Sequence, residues 1–203
     1  DFGGVQLWEG GPYWAECNVG ASKPEEYGLY FWWGDTEGHS NAGSWFSDET
    51  CPTWKNGAGW IGSTGNLVAE HDAALAYLGA PWRMPTRGEF DALISNCTTE
   101  WTMRNDVYGR LVKGKGAYAT KSIFLPAAGS GTAITIGGFG DVGVYWSSTS
   151  SSCDLSWFLY AGSSSSVFAL SYYGYNYMGR SVRPVRGFAS SSHVAYLVRL
   201  SLD

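Results

Sequence analysis

Charge is scarce in this chain, and positive charge is the scarcer kind. Of 203 residues, 13 are Lys or Arg and 18 are Asp or Glu, a net charge of −5. The basic residues form no long run, so nucleic acid is not expected as the main partner. Arg180, Arg183 and Arg186 do cluster, but Val182 and Val185 interleave with them, which reads as a strand rather than a basic arm. Long apolar runs are missing as well: none approaches the ~20 residues of a membrane-spanning helix. No export leader is visible, and the abrupt start at Asp1 leaves room for a leader or anchor removed upstream. There are only four cysteines, Cys17, Cys51, Cys97 and Cys153, in spacings that match no zinc pattern. Spacing alone leaves open whether they form one or two disulfides or stay as buried thiols. None of the three histidines, His39, His71 and His193, stands beside a Ser or Cys in a hydrolase motif. Glu70, His71 and Asp72 are consecutive and would diverge around a helix, which makes a poor metal site. Asp35, Glu37, Asp48 and Glu49 offer oxygen ligands without EF-hand spacing, so calcium has no named site and no cofactor is expected.

What is abundant is aromatic. Eleven Trp, thirteen Tyr and nine Phe accompany twenty-eight Gly. Such rings dominate cores and interfaces. With so much glycine and so little charge, they suggest a compact, loop-rich fold, and the length fits one domain over 1–203.

Local signals divide the chain into strands, two helices and more strands, an α+β order. Val5 to Leu7 and Tyr13 to Cys17 read as short strands around Gly10-Gly11-Pro12. Ser22, Pro24, Glu25, Glu26 and Gly28 predict a short capped helix. Leu29 to Trp33 is a dense aromatic run, read as a buried strand or turn. Residues 35 to 65 form a long excursion that Trp45, Trp54 and Trp60 should pin to the body. A helix is expected over Glu70 to Leu78, stopped by Gly79, and a second after Thr86, where Glu89 completes a capping box. Trp82 and Met84 read as core and Arg83 as a partner for a carboxylate, in preference to an active-site loop. Strands follow at Tyr108 to Val112, Ser122 to Leu125, Val144 to Ser147, Trp157 to Tyr160, Val167 to Tyr172, Ser181 to Val185 and Val194 to Leu202, with a glycine-rich loop over 129–143.

The segment from Tyr145 to Arg186 is built mainly of Ser, Tyr, Phe, Leu, Ala and Gly. Tyr gives rigid contact area at low entropy cost, and Ser and Gly give adaptable contacts. Such a composition points to binding rather than bond-making. Four tyrosines within 172–177 are too many for a simple linker. The plainer alternative is that Ser163-Ser164-Ser165-Ser166 is a flexible loop and the tyrosines are ordinary half-buried sheet residues.

Several motifs occur in a specific order: Trp14-Ala15-Glu16-Cys17-Asn18-Val19-Gly20-Ala21, Tyr30-Phe31-Trp32-Trp33-Gly34-Asp35-Thr36, Trp82-Arg83-Met84-Pro85-Thr86, Ile123-Phe124-Leu125-Pro126-Ala127-Ala128-Gly129, Tyr145-Trp146-Ser147-Ser148 and Ser181-Val182-Arg183-Pro184-Val185. Over roughly residues 5 to 187, the chain resembles the Fibrobacter succinogenes major paralogous domain of gut Bacteroidetes. That family is similar to the formylglycine-generating-enzyme branch of the C-type lectin fold. The resemblance implies two helices packed on short antiparallel sheets, with long loops. Some members of the branch are variable proteins of diversity-generating retroelements, in which template adenines are replaced at random. Asn codons then become residues other than Trp, Met, Lys, Gln and Glu. Ser150 to Asp154 and Ser163 to Tyr177 obey this rule, although Lys, Gln and Glu are absent everywhere after Lys121.

The resemblance therefore implies a variable segment over 145–186. Tyr145, Trp146, Trp157, Leu159, Val182 and Val185 are expected as core. Ser151, Ser152, Cys153, Asp154, Phe158, Tyr160, Ser164, Ser165, Phe168, Tyr172, Tyr173, Tyr175 and Tyr177 are expected on one exposed, ligand-binding face. The partner would be a protein or glycan, and the location extracellular or cell-surface, on a bacterium or phage, with a monomer favoured. The formylglycine-generating enzymes use a close cysteine pair near the C-terminus. Cys153 has no near partner in sequence, so an enzyme is not expected. A family domain without diversification, binding glycans, is the alternative.

Overall fold

A computed structural model of the chain describes residues 3–52, 57–164 and 168–187, with Gly57, Ala58 and Tyr172 described by their backbone alone. It is a mixed α/β structure of small antiparallel sheets with few helices. Strands β1 (Val5–Gln6) and β2 (Tyr13–Trp14) form a hairpin, shorter than the sequence suggested. The predicted helix after Ser22 is instead a turn. The Glu26 carboxylate accepts from Ser22 N, Ser22 Oγ and Lys23 N, and this bonding satisfies the backbone without helical repeats.

Among the described residues there are two α-helices, α1 (Ala73–Leu78) and α2 (Arg87–Asn96). α1 starts later than predicted. Asp72 caps it by accepting from Leu75 N, so Glu70 and His71 fall in a preceding 3-10 turn. The predicted capping box opens α2: Glu89 N donates to Thr86 Oγ1, and Glu89 Oε1 accepts from Thr86 N. Glu89 also pairs with Arg83 at 2.7 and 3.1 Å, the carboxylate partner expected for that arginine. Phe90 and Leu93 of α2 are buried, as are Trp82 and Met84.

A hairpin of β3 (Thr98–Arg104) and β4 (Val107–Lys113) is extended by β5 (Ser122–Pro126) into an antiparallel sheet. The glycine-rich stretch holds a two-stranded ladder, β6 (Ser130–Gly131) and β7 (Ile136–Gly137). Next come β8 (Val142–Ser150), β9 (Leu155–Gly162) and β10 (Phe168–Tyr175), antiparallel in the order β10–β9–β8. Finally β11 (Val185–Arg186) pairs with β2, so Trp14 is flanked by Val5 on one side and Val185 on the other. The strand predicted at Val194 to Leu202 lies outside the described residues.

The β8–β9 pair separates two apolar clusters. Tyr145 and Leu159, opposite each other, face Trp14, Phe90, Leu93, Ile123 and Val185. Val144, Trp146 and Phe158 face Phe31, Trp33, Met84 and Val182. Successive residues of a strand point to opposite faces, so a strand covered on both sides buries adjacent residues. Arg183 joins the layers. Fully buried, it donates to Asn18 Oδ1, the carbonyls of Ala15 and Glu16, and the Phe124 carbonyl. Trp60 stacks on His71 and Trp54 lies outside the described residues, while Phe46 is a deeply buried anchor of the long excursion. It is 1% exposed and packs where a Cβ on Gly179 would come within 2.5 Å of its ring.

Candidate binding face on the terminal sheet

The tyrosines of β10 are displayed by an irregularity in the strand. Register with β9 shifts between Ser171 and Gly174, an extra residue that bends and twists the strand locally. Gly174 then passes so close to β9 that a Cβ there would lie 2.5 Å from Ser156 O and 2.7 Å from the Trp146 ring. The next residue but one, Asn176, is 0% exposed. Its side-chain oxygen accepts from Ser156 Oγ at 2.7 Å, its N–H donates to Asp154 O, and its carbonyl accepts from Trp33 N. With even-numbered Gly174 and Asn176 held inward, Tyr173 and Tyr175 are left outside. They are 63% and 44% exposed, and Tyr175 stacks on half-buried Tyr177 at 5.5 Å and 13°.

Beside this stack lies the β8–β9 turn. Ser151 N and Ser152 N both donate to Leu155 O, Ser150 Oγ donates to Ser152 O, and Ser152 Oγ donates to Asp154 Oδ1. Ser151, Ser152 and Cys153 are exposed and Asp154 is half-buried. The serine turn is thus an ordered, internally bonded loop.

The predicted set does not form one face. Ser151, Ser152, Cys153, Asp154, Tyr173, Tyr175 and Tyr177 gather at one end of the sheet. Tyr160, Ser164 and Phe168 lie at the other end, six residues or about 20 Å along β9. Tyr160 is 37% exposed and Ser164 exposed, but Arg110 donates to the Gly162 and Ser164 carbonyls and holds that end down. Phe158 is buried, a correction: it faces the second cluster with the Arg180 guanidinium 3.6 Å from its ring. Phe168 pairs with Ala161 and leans on the first cluster, so it too is partly buried. Trp157, expected as core, is only half-buried, and the Arg87 guanidinium lies 3.8 Å over its ring. Ser165 is outside the described residues, as is the side chain of Tyr172. Sequence alternation failed here because both faces of β9 are covered, which alternation read as one face buried and one open.

Arg180 is a buried charge of an unusual kind. It sits between the Trp146 and Phe158 rings, and its Nε and Nη1 have no hydrogen-bond partner. Burial pushes its pKa down to about 9. Burial likewise pushes Cys97 up to about 11 and raises Cys17. All four cysteines are free thiols in the structure, and Cys153 is the exposed one. Among the described residues, no three His, Cys, Asp or Glu side chains group to hold a metal ion, and no helix is long and apolar enough to cross a membrane.

The architecture defines a class: a mixed α/β protein whose small antiparallel sheets carry an aromatic, serine-rich surface at one end. Comparison with protein-family models, curated proteins and solved structures finds no match to this chain.

Proposed function

We propose that this chain is a non-enzymatic ligand-binding protein, the diversified target of a diversity-generating retroelement, built on a C-type lectin scaffold of the Fibrobacter succinogenes major paralogous type. The observation that carries the reading is the outward projection of Tyr173 and Tyr175 from a strand whose alternate residues, Gly174 and Asn176, are locked to β9. The lectin scaffold is supported by the β1–β2–β11 sheet that draws Trp14 to Val185, by the two helices, and by the long loops.

Binding would work through area and rigidity. Exposed tyrosine rings bury large surfaces against a partner, while the serine hydroxyls of the β8–β9 turn supply polar contacts. Because the turn and the tyrosine strand are already bonded in place, little ordering entropy is lost on association. The face is narrower than the sequence implied: Ser151, Ser152, Cys153, Tyr173, Tyr175 and Tyr177 are contiguous, whereas Tyr160 and Ser164 would contact only a large ligand. An exported location, on a cell or phage surface, belongs to the same proposal.

The test is a ligand screen with the wild-type protein and the Tyr173→Ser, Tyr175→Ser double variant. The variant keeps the thermal midpoint within about 3 °C and loses binding. Equal binding by both proteins would move the ligand site elsewhere. Glycan binding that survives the double variant would favour a lectin-like domain without diversification.

A further inference from the structure

Part of the long excursion and the residues just before it enclose a cavity of about 360 Å3 whose walls are aromatic. On one side Trp60 stacks on His71, with centroids 3.5 Å and planes 8° apart, and Trp32 leans on Trp60 at 5.7 Å and 36°. On the other side His39 stacks on Trp45 at 4.5 Å and 11°. Gly34, Asp35 and Thr36 also line the cavity.

Two carboxylates, Asp35 and Glu37, line the cavity. Asp35, 2% exposed, accepts from Glu37 N at 2.9 Å and Gly38 N at 3.2 Å, and its Oδ2 lies 3.3 Å from His39 Nε2. Burial raises its pKa, while the two N–H donors and His39 act to lower it. Glu37 lines the same cavity, is exposed, and makes no ion pair among the described residues. Among the described residues, the lining contains neither Lys nor Arg. Aromatic faces carry negative potential and attract cations, and a recessed carboxylate acts at a lower effective dielectric than one in open water. A neutral sugar could stack on the same rings, but it would gain no charge attraction from the Asp35 and Glu37 carboxylates.

We propose that this recess is a binding site for an organic cation, a quaternary ammonium or similar alkylammonium group held between the tryptophan walls and above Asp35. Its lining lies wholly outside 145–186, so it does not rest on the function proposed above.

Choline and its uncharged carbon isostere, dimethylbutanol, test it at constant ionic strength, with tryptophan fluorescence and indole N–H resonances as readouts. Choline binds saturably, and dimethylbutanol binds at least about tenfold more weakly. Trp60→Ala removes saturable binding. Glu37→Gln, at an exposed position that does not threaten folding, weakens choline about threefold. The Tyr173→Ser, Tyr175→Ser double variant leaves choline affinity unchanged, which separates this site from the tyrosine face. Equal affinity for the two isosteres, no saturable choline binding, or preference for N-acetylglucosamine over choline would overturn the proposal.

Discussion

Ser156 Oγ donates a 2.7 Å hydrogen bond to Asn176 Oδ1, and neither residue is exposed. This bond ties the end of the tyrosine strand to β9. Asn176→Ala leaves the Ser156 hydroxyl buried without its acceptor, and should cost about 1–3 kcal/mol in urea unfolding. Tyr173→Ala, one exposed residue away from the same strand end, should cost under about 1 kcal/mol. If the two losses were equal, the contrast between frame and display would fail.

Two buried arginines should respond in opposite ways to replacement by Met. Arg183 serves four acceptors, so Arg183→Met strands Asn18 Oδ1 and the Phe124 carbonyl and should cost at least about 3 kcal/mol. Arg180 has two nitrogens without partners, so Arg180→Met should be neutral or stabilising, as when apolar residues replace buried charge elsewhere. Thermal or chemical denaturation of the two variants side by side reads the sign directly.

Phe46→Ala should cost about 3–5 kcal/mol, because its ring fills the space against Gly131 and Gly179. Amide exchange should show the loss of protection over residues 44–52, which also line the aromatic recess. Gly179→Ala should produce the same local signature, since the added methyl meets the Phe46 ring.

Alkaline pH should destabilise the fold through two buried acids. Cys97 is pushed by burial from 9.0 to about 11, and Tyr145, also by burial, from 10.0 to about 12. Both are acids whose folded pKa exceeds the unfolded value. Their contribution is therefore complete below about pH 9 and is lost as pH rises through 11 and 12. Ionising Tyr145 also removes its 2.7 Å hydrogen bond to Pro126 O. Unfolding free energy should be flat from pH 7 to 9 and fall steeply above; Tyr145→Phe should flatten the upper part of that fall. In the same range Cys153 should react with a thiol reagent in the native state, while Cys51 and Cys97 react only after unfolding.

Short-range chemistry was legible in the sequence. The Thr86–Glu89 box, the Gly79 stop, the Arg83–Glu89 pair and the burial of Tyr145, Trp146 and Val185 all depend on a few neighbouring residues or on bulk apolarity. What was hidden depended on tertiary cover. Phe158 and Phe168 alternate correctly as strand residues, but a second layer closes over the face that sequence left open. The Ser22 turn satisfied every helix-start rule, yet the Glu26 carboxylate bonded locally and stopped propagation. β3 went unread because Thr98–Arg104 is polar and mostly exposed, with no buried face to give it a period. The aromatic recess was invisible because Trp32, Trp60 and His71 are far apart in sequence and meet only through the folded excursion.

The most direct measurement is the DNA sequence around the gene, together with natural copies of the segment encoding 145–186. The account predicts a nearby reverse transcriptase and a near-identical template repeat, mismatched only at adenines. Substitutions should fall in codons for outward residues such as Ser151, Cys153, Tyr173 and Tyr175, sparing Ser156, Gly174 and Trp146. A missing repeat, or variation spread evenly over inward and outward positions, would contradict it.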